Sequence, residues 1–217
     1  MNFFKKTLSK FSKGSKAEPR KLSQVNQLLV NDIIVLTDSF ALPESLRKAE
    51  FQVKAVNSYE FEHSVQTEWA LLGENDIEIF LSLAVDDTTE LKFSLKIAHE
   101  DVESLFDLER FGEIFDEPGQ AFLDKQEDTA LTAGWSSDQY QQKTFANVGY
   151  FHRKDHRSEN LSSYEGSGAG EQFELYSLYN EDQSYGIDVE VWQDGDTEVC
   201  LTLFRPLSDI IDMYPGS

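Results

Sequence analysis

The chain has 217 residues, enough for one large domain or two small ones with a real core. Forty acidic residues stand against nineteen basic ones, a formal charge of −21; this excludes DNA or RNA as a partner of the whole protein, because phosphate binding requires a net basic surface. The single cysteine, Cys200, excludes an internal disulfide, and no run approaches the roughly 18 apolar residues of a membrane-spanning helix.

The charge is uneven along the chain. Residues 1–21 hold seven basic residues and one acid, Glu18, whereas the remaining 196 hold 12 basic and 39 acidic residues. Such asymmetry points to a partner or a membrane surface. At about 100° per residue, Phe3, Phe4, Leu8 and Phe11 fall on one arc of a helix, and Lys5, Lys6, Lys10, Lys13 and Lys16 fall on another. The arm lacks the continuous apolar run of a secretory signal, and its second residue is Asn2, not the glycine that myristoylation needs. Gly14, Ser15 and Pro19 end the predicted helix and leave a short linker.

From Leu22 onward, strand signals dominate. Residues 28–36, 51–59, 65–72, 77–85 and 91–97 are rich in β-branched and aromatic side chains, and several alternate with period two. Asp86-Asp87-Thr88-Thr89 is turn chemistry, so 77–97 reads as a hairpin. Val102, Leu105, Phe106, Leu108, Phe111, Ile114 and Phe115 recur at spacings of three and four, which predicts one helix over 99–115, stopped by Pro118-Gly119. Residues 119–142 read as a polar connecting loop with a short helical turn near Trp135–Tyr140, leaving Trp135 as the most exposed tryptophan. Strands return at 145–151, 172–179, 185–192 and 198–204, and the apolar spacing in 206–213 predicts a short closing helix.

Shifting residues 79–95 by 108 places them without gaps on 187–203: Ile79, Leu81 and Leu83 fall on Ile187, Val189 and Val191, and Asp86 on Asp194. Trp69-Ala70-Leu71 resembles Phe173-Glu174-Leu175 at a slightly different offset. Alternation alone would make any two hairpins similar, but the recurring order of strand, turn, strand and helix favours duplication. The expected fold is therefore α+β and mainly β: an amphipathic N-terminal helix and linker (1–21), then two similar antiparallel β modules (22–118 and 143–217), each closed by a helix and joined through 119–142.

Phe3–Lys6, the stretch Leu28-Leu29-Val30-Asn31-Asp32 and the Glu68-Trp69 strand together resemble the YjfK-like family of bacterial proteins, which has no established activity. The resemblance implies a cytoplasmic bacterial protein, peripheral at most to the inner membrane. It also implies a setting of phage-shock-protein-A-like membrane-stress proteins and a glutathionylspermidine-synthase-like enzyme. It brings no catalytic residues.

Candidate chemistry is sparse. His152 and His156 are four apart, a spacing that would aim both rings at one metal on a helix, but the segment follows a strand and Arg153, Lys154 and Arg157 would repel a cation. His152, Arg153, Lys154, His156 and Arg157 instead read as a basic loop for an acidic partner or the body's own carboxylates. The glycine-rich stretch Glu165–Glu171 lacks the lysine and hydroxyl of a phosphate loop and reads as a linker. Cys200 lies in an alternating strand with no base supplied in sequence, so it reads as a small strand side chain. Asp86-Asp87 and Asp194-Gly195-Asp196 fit hairpin tips, and the acids of 100–117 fit a solvated helix face. No cofactor or metal is expected. Trp69, Trp135 and Trp192 could line a cage for a cationic ligand, although packing in the sheets is the simpler reading of Trp69 and Trp192.

Two functions follow from these features. One is a non-enzymatic interaction protein, whose body binds a basic partner while Phe3, Phe4, Lys5, Lys6, Leu8, Lys10, Phe11 and Lys13 support weak peripheral membrane contact or membership of a membrane-stress complex. In this reading a phage-shock-protein-A-like protein is the expected partner, and the arm has self-docking on the acidic body or disorder as alternatives. The other is a binder of, or enzyme acting on, a cationic small molecule such as a polyamine. A concave site with several carboxylates and aromatic rings would favour the second.

Overall fold

The computed structural model describes residues 20–159 and 170–216. The amphipathic arm expected over 3–13 and most of the glycine-rich stretch 165–171 lie outside the described residues. The chain is mainly β, with β1 (Ile33–Leu36), β2 (Glu50–Phe61), β3 (Ser64–Leu72), β4 (Glu78–Val85) and β5 (Thr89–Ile97) in its first half. Two short helices follow, α1 (His99–Leu105) and α2 (Leu108–Gly112). The second half holds β6 (Phe122–Asp124), β7 (Gln139–His152), β8 (Glu171–Tyr179), β9 (Tyr185–Trp192), β10 (Thr197–Pro206) and β11 (Ile210–Tyr214).

All eleven strands form one antiparallel sheet in the order β11-β1-β2-β3-β4-β5-β10-β9-β8-β7-β6. A second pairing of β2 with β7 turns the eight strands from β2 round to β7 into a closed ring. That seam is short: Ser58 pairs with His152, Tyr59 with Phe151 and Glu60 with Tyr150. By contrast β5 and β10 pair over eight residues, from Val199 opposite Ile97 to Pro206 opposite Glu90. Closure removes two free edges from the ring, while β11 and β6 remain as edges outside it.

The strand order is palindromic, with β1 to β5 mirrored by β6 to β10. Ser94 and Thr202, which the 108-residue shift superposes, are also paired with each other across β5 and β10. Phe93 and Leu95 pair with Leu203 and Leu201, so the same shift exchanges the members of these two pairs. This geometry is that of a local two-fold axis through the Ser94–Thr202 pair. The upstream match differs from the sequence expectation: Trp69 pairs with Leu81, but it is Tyr176, not Phe173, that pairs with the corresponding Val189.

Two further expectations are corrected. The segment 99–115 is not one helix: Phe106 is extended, and the Asp107 carboxylate accepts a hydrogen bond from the Arg110 amide at 3.0 Å, capping a new helix instead of continuing the old one. The expected closing helix at 206–213 is a single 3-10 turn, Leu207–Asp209, followed by β11, which pairs with β1 from Ile33 opposite Tyr214 to Leu36 opposite Ile210. The connecting segment 119–142 is not all loop either, since it contains β6 and the start of β7.

One face of the sheet is apolar. Leu71, Ile79, Leu81, Phe93, Val189 and Leu201 are fully buried on it, in one cluster with Leu28, Leu36, Leu46, Leu105, Phe106 and Trp135 from the segments that cover them. Trp69 lies on the same face and donates its indole N–H to the Leu28 carbonyl at 3.1 Å, pinning the N-terminal segment to the sheet. Trp135, expected to be exposed, is only 1% exposed. A lone tryptophan in a polar segment here serves as the anchor that holds that segment on the core.

A carboxylate-lined lumen as candidate functional site

The alternate residues of the same strands form the other face, and this face is polar. Asn57 and Tyr59 come from β2, Glu68 from β3, Ser82 from β4, Lys92 from β5, Asp188 and Glu190 from β9, and Cys200 from β10. They border a single cavity of about 1450 Å³. The hydroxyl of Tyr59, on β2, donates to Glu190, on β9, at 3.4 Å, although the two strands are three apart in the ring. The polar face therefore points inward. A second cavity of about 720 Å³ shares Phe61, Gln66, Lys92, Leu175 and Asp188 with the first, so the two adjoin at the Lys92–Asp188 pair.

Lys92 and Lys96 are paired with acids, whereas Lys54, exposed where it borders the cavity, donates to the Gln52 side-chain oxygen at 2.5 Å. Lys92 Nζ lies 2.5 Å from Asp188 Oδ2, and both side chains are largely buried. Ser177 donates to the other Asp188 oxygen at 2.6 Å. Burial pulls the Lys92 ammonium down, but the Asp188 charge outweighs it and leaves the group above its ordinary value. Lys96 pairs with Glu198 at 2.5 Å, and Arg153, at the rim, reaches Glu171 with two hydrogen bonds of 3.1 and 3.2 Å. Glu68 and Glu190 have no such cation. Glu68 accepts from Asn57 at 3.1 Å and is also within hydrogen-bonding reach of the Tyr59 hydroxyl, which donates to Glu190.

Desolvation inside the ring pushes Glu68 up to about 7, against the pull of Asn57 and Lys92. Desolvation and the neighbouring Glu68 and Asp188 charges push Glu190 up to about 8. The Tyr59 hydroxyl is raised well above its usual range by burial and then by the two glutamates. The Cys200 thiol is raised in the same way by burial and by Glu190, which keeps it protonated and a poor nucleophile.

Aromatic rings complete the wall. Tyr59 stands 5.0 Å from Phe151 and 5.4 Å from Phe173, and Trp192 packs 5.3 Å from Phe173 and 5.8 Å from Phe151. Tyr59, Phe61, Phe151 and Trp192 all border the cavity. The indole N–H of Trp192 is buried and has no hydrogen-bond partner among the described residues.

The basic loop of the sequence analysis follows the seam, with Arg153 and Lys154 bordering the cavity. Ser58 Oγ donates to the Lys154 carbonyl at 2.9 Å and accepts from the His156 amide at 3.1 Å, which fastens the loop to β2. His152 and His156 are buried, their ring centroids 4.9 Å apart. Each meets a carboxylate: His152 Nε2 lies 2.9 Å from Glu60, and His156 Nδ1 lies 3.0 Å from Glu159. Lys154 pairs with Glu159, and Arg157 pairs with Asp155 while standing 5.5 Å over the Trp69 ring. The loop is thus engaged with the body's own carboxylates. No group of three or more potential metal ligands occurs among the described residues.

Asp194 and Asp196 sit at the β9–β10 tip and border the cavity, whereas Asp86 and Asp87 are exposed at the β4–β5 tip. Glu100, Glu103, Glu109 and Glu117 lie on the exposed side of the helical segment. No helix among the described residues is long and apolar enough to cross a membrane. Sequence reasoning did not single out Glu68, Lys92, Asp188 or Glu190 as site residues. Their only signal is a charged side chain at alternate positions of otherwise apolar strands, which reads equally well as a solvated face.

No protein-family model matches the chain, no curated protein matches it, and no solved structure matches it.

Proposed function

We propose that the ring of strands is a binding module for a cationic small molecule, taken into the lumen between Glu68 and Glu190. The single observation that carries this reading is the residual charge: Lys92 and Lys96 are matched to acids, Lys54 meets the Gln52 side-chain oxygen, and Glu68 and Glu190 form no ion pair among the described residues. The aromatic rings beside them suit an ammonium with attached methylene groups, through cation–π attraction and apolar contact. A polyamine is one such molecule. The palindromic strand order further supports a duplication of one five-stranded unit, with charges that diverged between the halves. Glu68 has Leu175 as its counterpart in the ladder, and Lys92 has Cys200 under the 108-residue shift.

The test is calorimetry of the full chain with spermidine at physiological ionic strength. Binding is expected to strengthen as pH rises through about 7 to 8, where the glutamates ionise. It is expected to fall by about ten-fold or more in Glu190→Gln and Glu68→Gln. Affinity that disappears with salt, or that both substitutions leave intact, would reduce the effect to counterion condensation and sink the proposal. The interaction reading, with the arm on an anionic membrane surface or on a phage-shock-protein-A-like partner in the cytoplasm, draws its support from residues 3–13 and the family resemblance.

A further inference from the structure

The lumen opens beside the point where the N-terminal segment joins the body. Arg20 is clasped there: its guanidinium pairs with Asp32 and donates to the Gln27 carbonyl at 2.6 Å. Asp32 is itself fixed, accepting from the Leu29 amide at 2.7 Å and from the Gly216 amide at 2.8 Å. Leu29 and Val30, in the same short loop, border the cavity, and they are 44% and 48% exposed. Two apolar side chains thus stand uncovered at the rim of a lumen whose interior has unmatched carboxylates.

Residues 1–19 have the complementary chemistry. They carry five lysines against one acid, with Phe3, Phe4, Leu8 and Phe11 interspersed. They join the described body at Arg20, and a chain of nineteen residues can span up to about 60 Å when extended, enough to reach the rim. An attached cation acts at a high effective concentration, of millimolar order for a short flexible connection. At the mouth Lys154, Arg153 and Arg157 are each paired with an acid and Lys54 meets Gln52, so no described cation forms an ion pair with Glu68 or Glu190.

We infer that the chain's own residues 1–19 dock at the lumen mouth, setting lysines against the carboxylates and apolar side chains against Leu29 and Val30, so that the arm competes with the cationic ligand. This rests on the reading of the lumen as a cation site and adds a built-in competitor to it. A membrane surface and a second copy of the chain are the rival occupants of the arm.

The full-length protein serves for the test. Carbodiimide, which joins amines to carboxylates without a spacer, is applied to a mixture of isotopically light and heavy chains, and linked peptides are mapped by mass spectrometry. The expected result is intramolecular links from Lys5, Lys6, Lys10 or Lys13 to Glu68, Glu190, Asp194 or Asp196, which border the cavity. In parallel, a full-length variant with these four lysines changed to Gln is expected to bind spermidine about five-fold more tightly than the parent chain, as removal of a competing occupant requires. Links that join light to heavy chains, or that reach only the exposed acids of 100–117, would overturn the inference, as would equal spermidine affinity in the two forms. Intramolecular links to the lumen glutamates with no spermidine binding by either form would uphold the docking and instead sink the small-molecule reading.

Discussion

Glu68 and Glu190 make the stability of this protein depend on pH in a direction opposite to that of a salt-bridged carboxylate. Their folded-state values, about 7 and about 8, lie above the ordinary 4.5. A raised group contributes its full stability below the unfolded value and loses it as pH rises through the folded one. These two residues therefore favour the folded state at pH 5 relative to pH 9. Urea denaturation across that range is expected to show Glu190→Gln more stable than the parent at pH 9 by ~2 kcal/mol, with the difference shrinking towards pH 5. A parent and variant that keep a constant difference at every pH would show that Glu190 ionises as in water. At this scale the sequence was half legible. Cys200 is the strand side chain that alternation suggests, but the same alternation gave Glu68 and Lys92 no reason to point anywhere but into solvent. Trp135 was misplaced because composition describes a segment's average, and one large ring can anchor a polar stretch on its own.

Among the elements, the strands were the most legible, since apolar alternation forces one face of each towards the core. Nine of the eleven described strands were expected, seven of them within two residues of where they lie, while β6 and β11 were read as loop and helix. Elements whose state is decided by a distant partner were not. Leu207, Ile210, Ile211 and Met213 fit a helical spacing, yet β1 offers an unpaired edge and the segment adds to it as β11. The break in the helical segment comes from a local competitor, the Asp107 side chain, whose cap is worth about 1 kcal/mol. The fit between β7 and β8 gives an element-scale prediction. Gly149 faces Phe173 across the ladder, and a Cβ there would meet the Phe173 ring at 2.5 Å and Phe61 at 2.9 Å. Gly149→Ala is expected to cost about 1–3 kcal/mol in chemical denaturation, because the displaced rings are those that pack against Tyr59 beside the seam. An alanine variant as stable as the parent would mean that those rings have room to give.

For the whole molecule, ring closure converts a two-faced sheet into a container, and closure is the step that no local pattern reveals. It depends on residues near 59 meeting residues near 151, and neither segment carries a mark of the other. Two similar modules were expected from the sequence; that the strands of both form one continuous sheet was not. The unequal ladders predict an order of opening. Hydrogen exchange under native conditions is expected to release the amides of Ser58–Glu60 and Tyr150–His152 well before those of the β5–β10 ladder, and exchange at equal rates would show that the ring opens only by global unfolding. A vessel sealed by three rungs on one side and spined by eight on the other behaves like a book. It can part along its fore-edge while the binding holds, and whatever is too bulky to enter through the ends has a way in along the side.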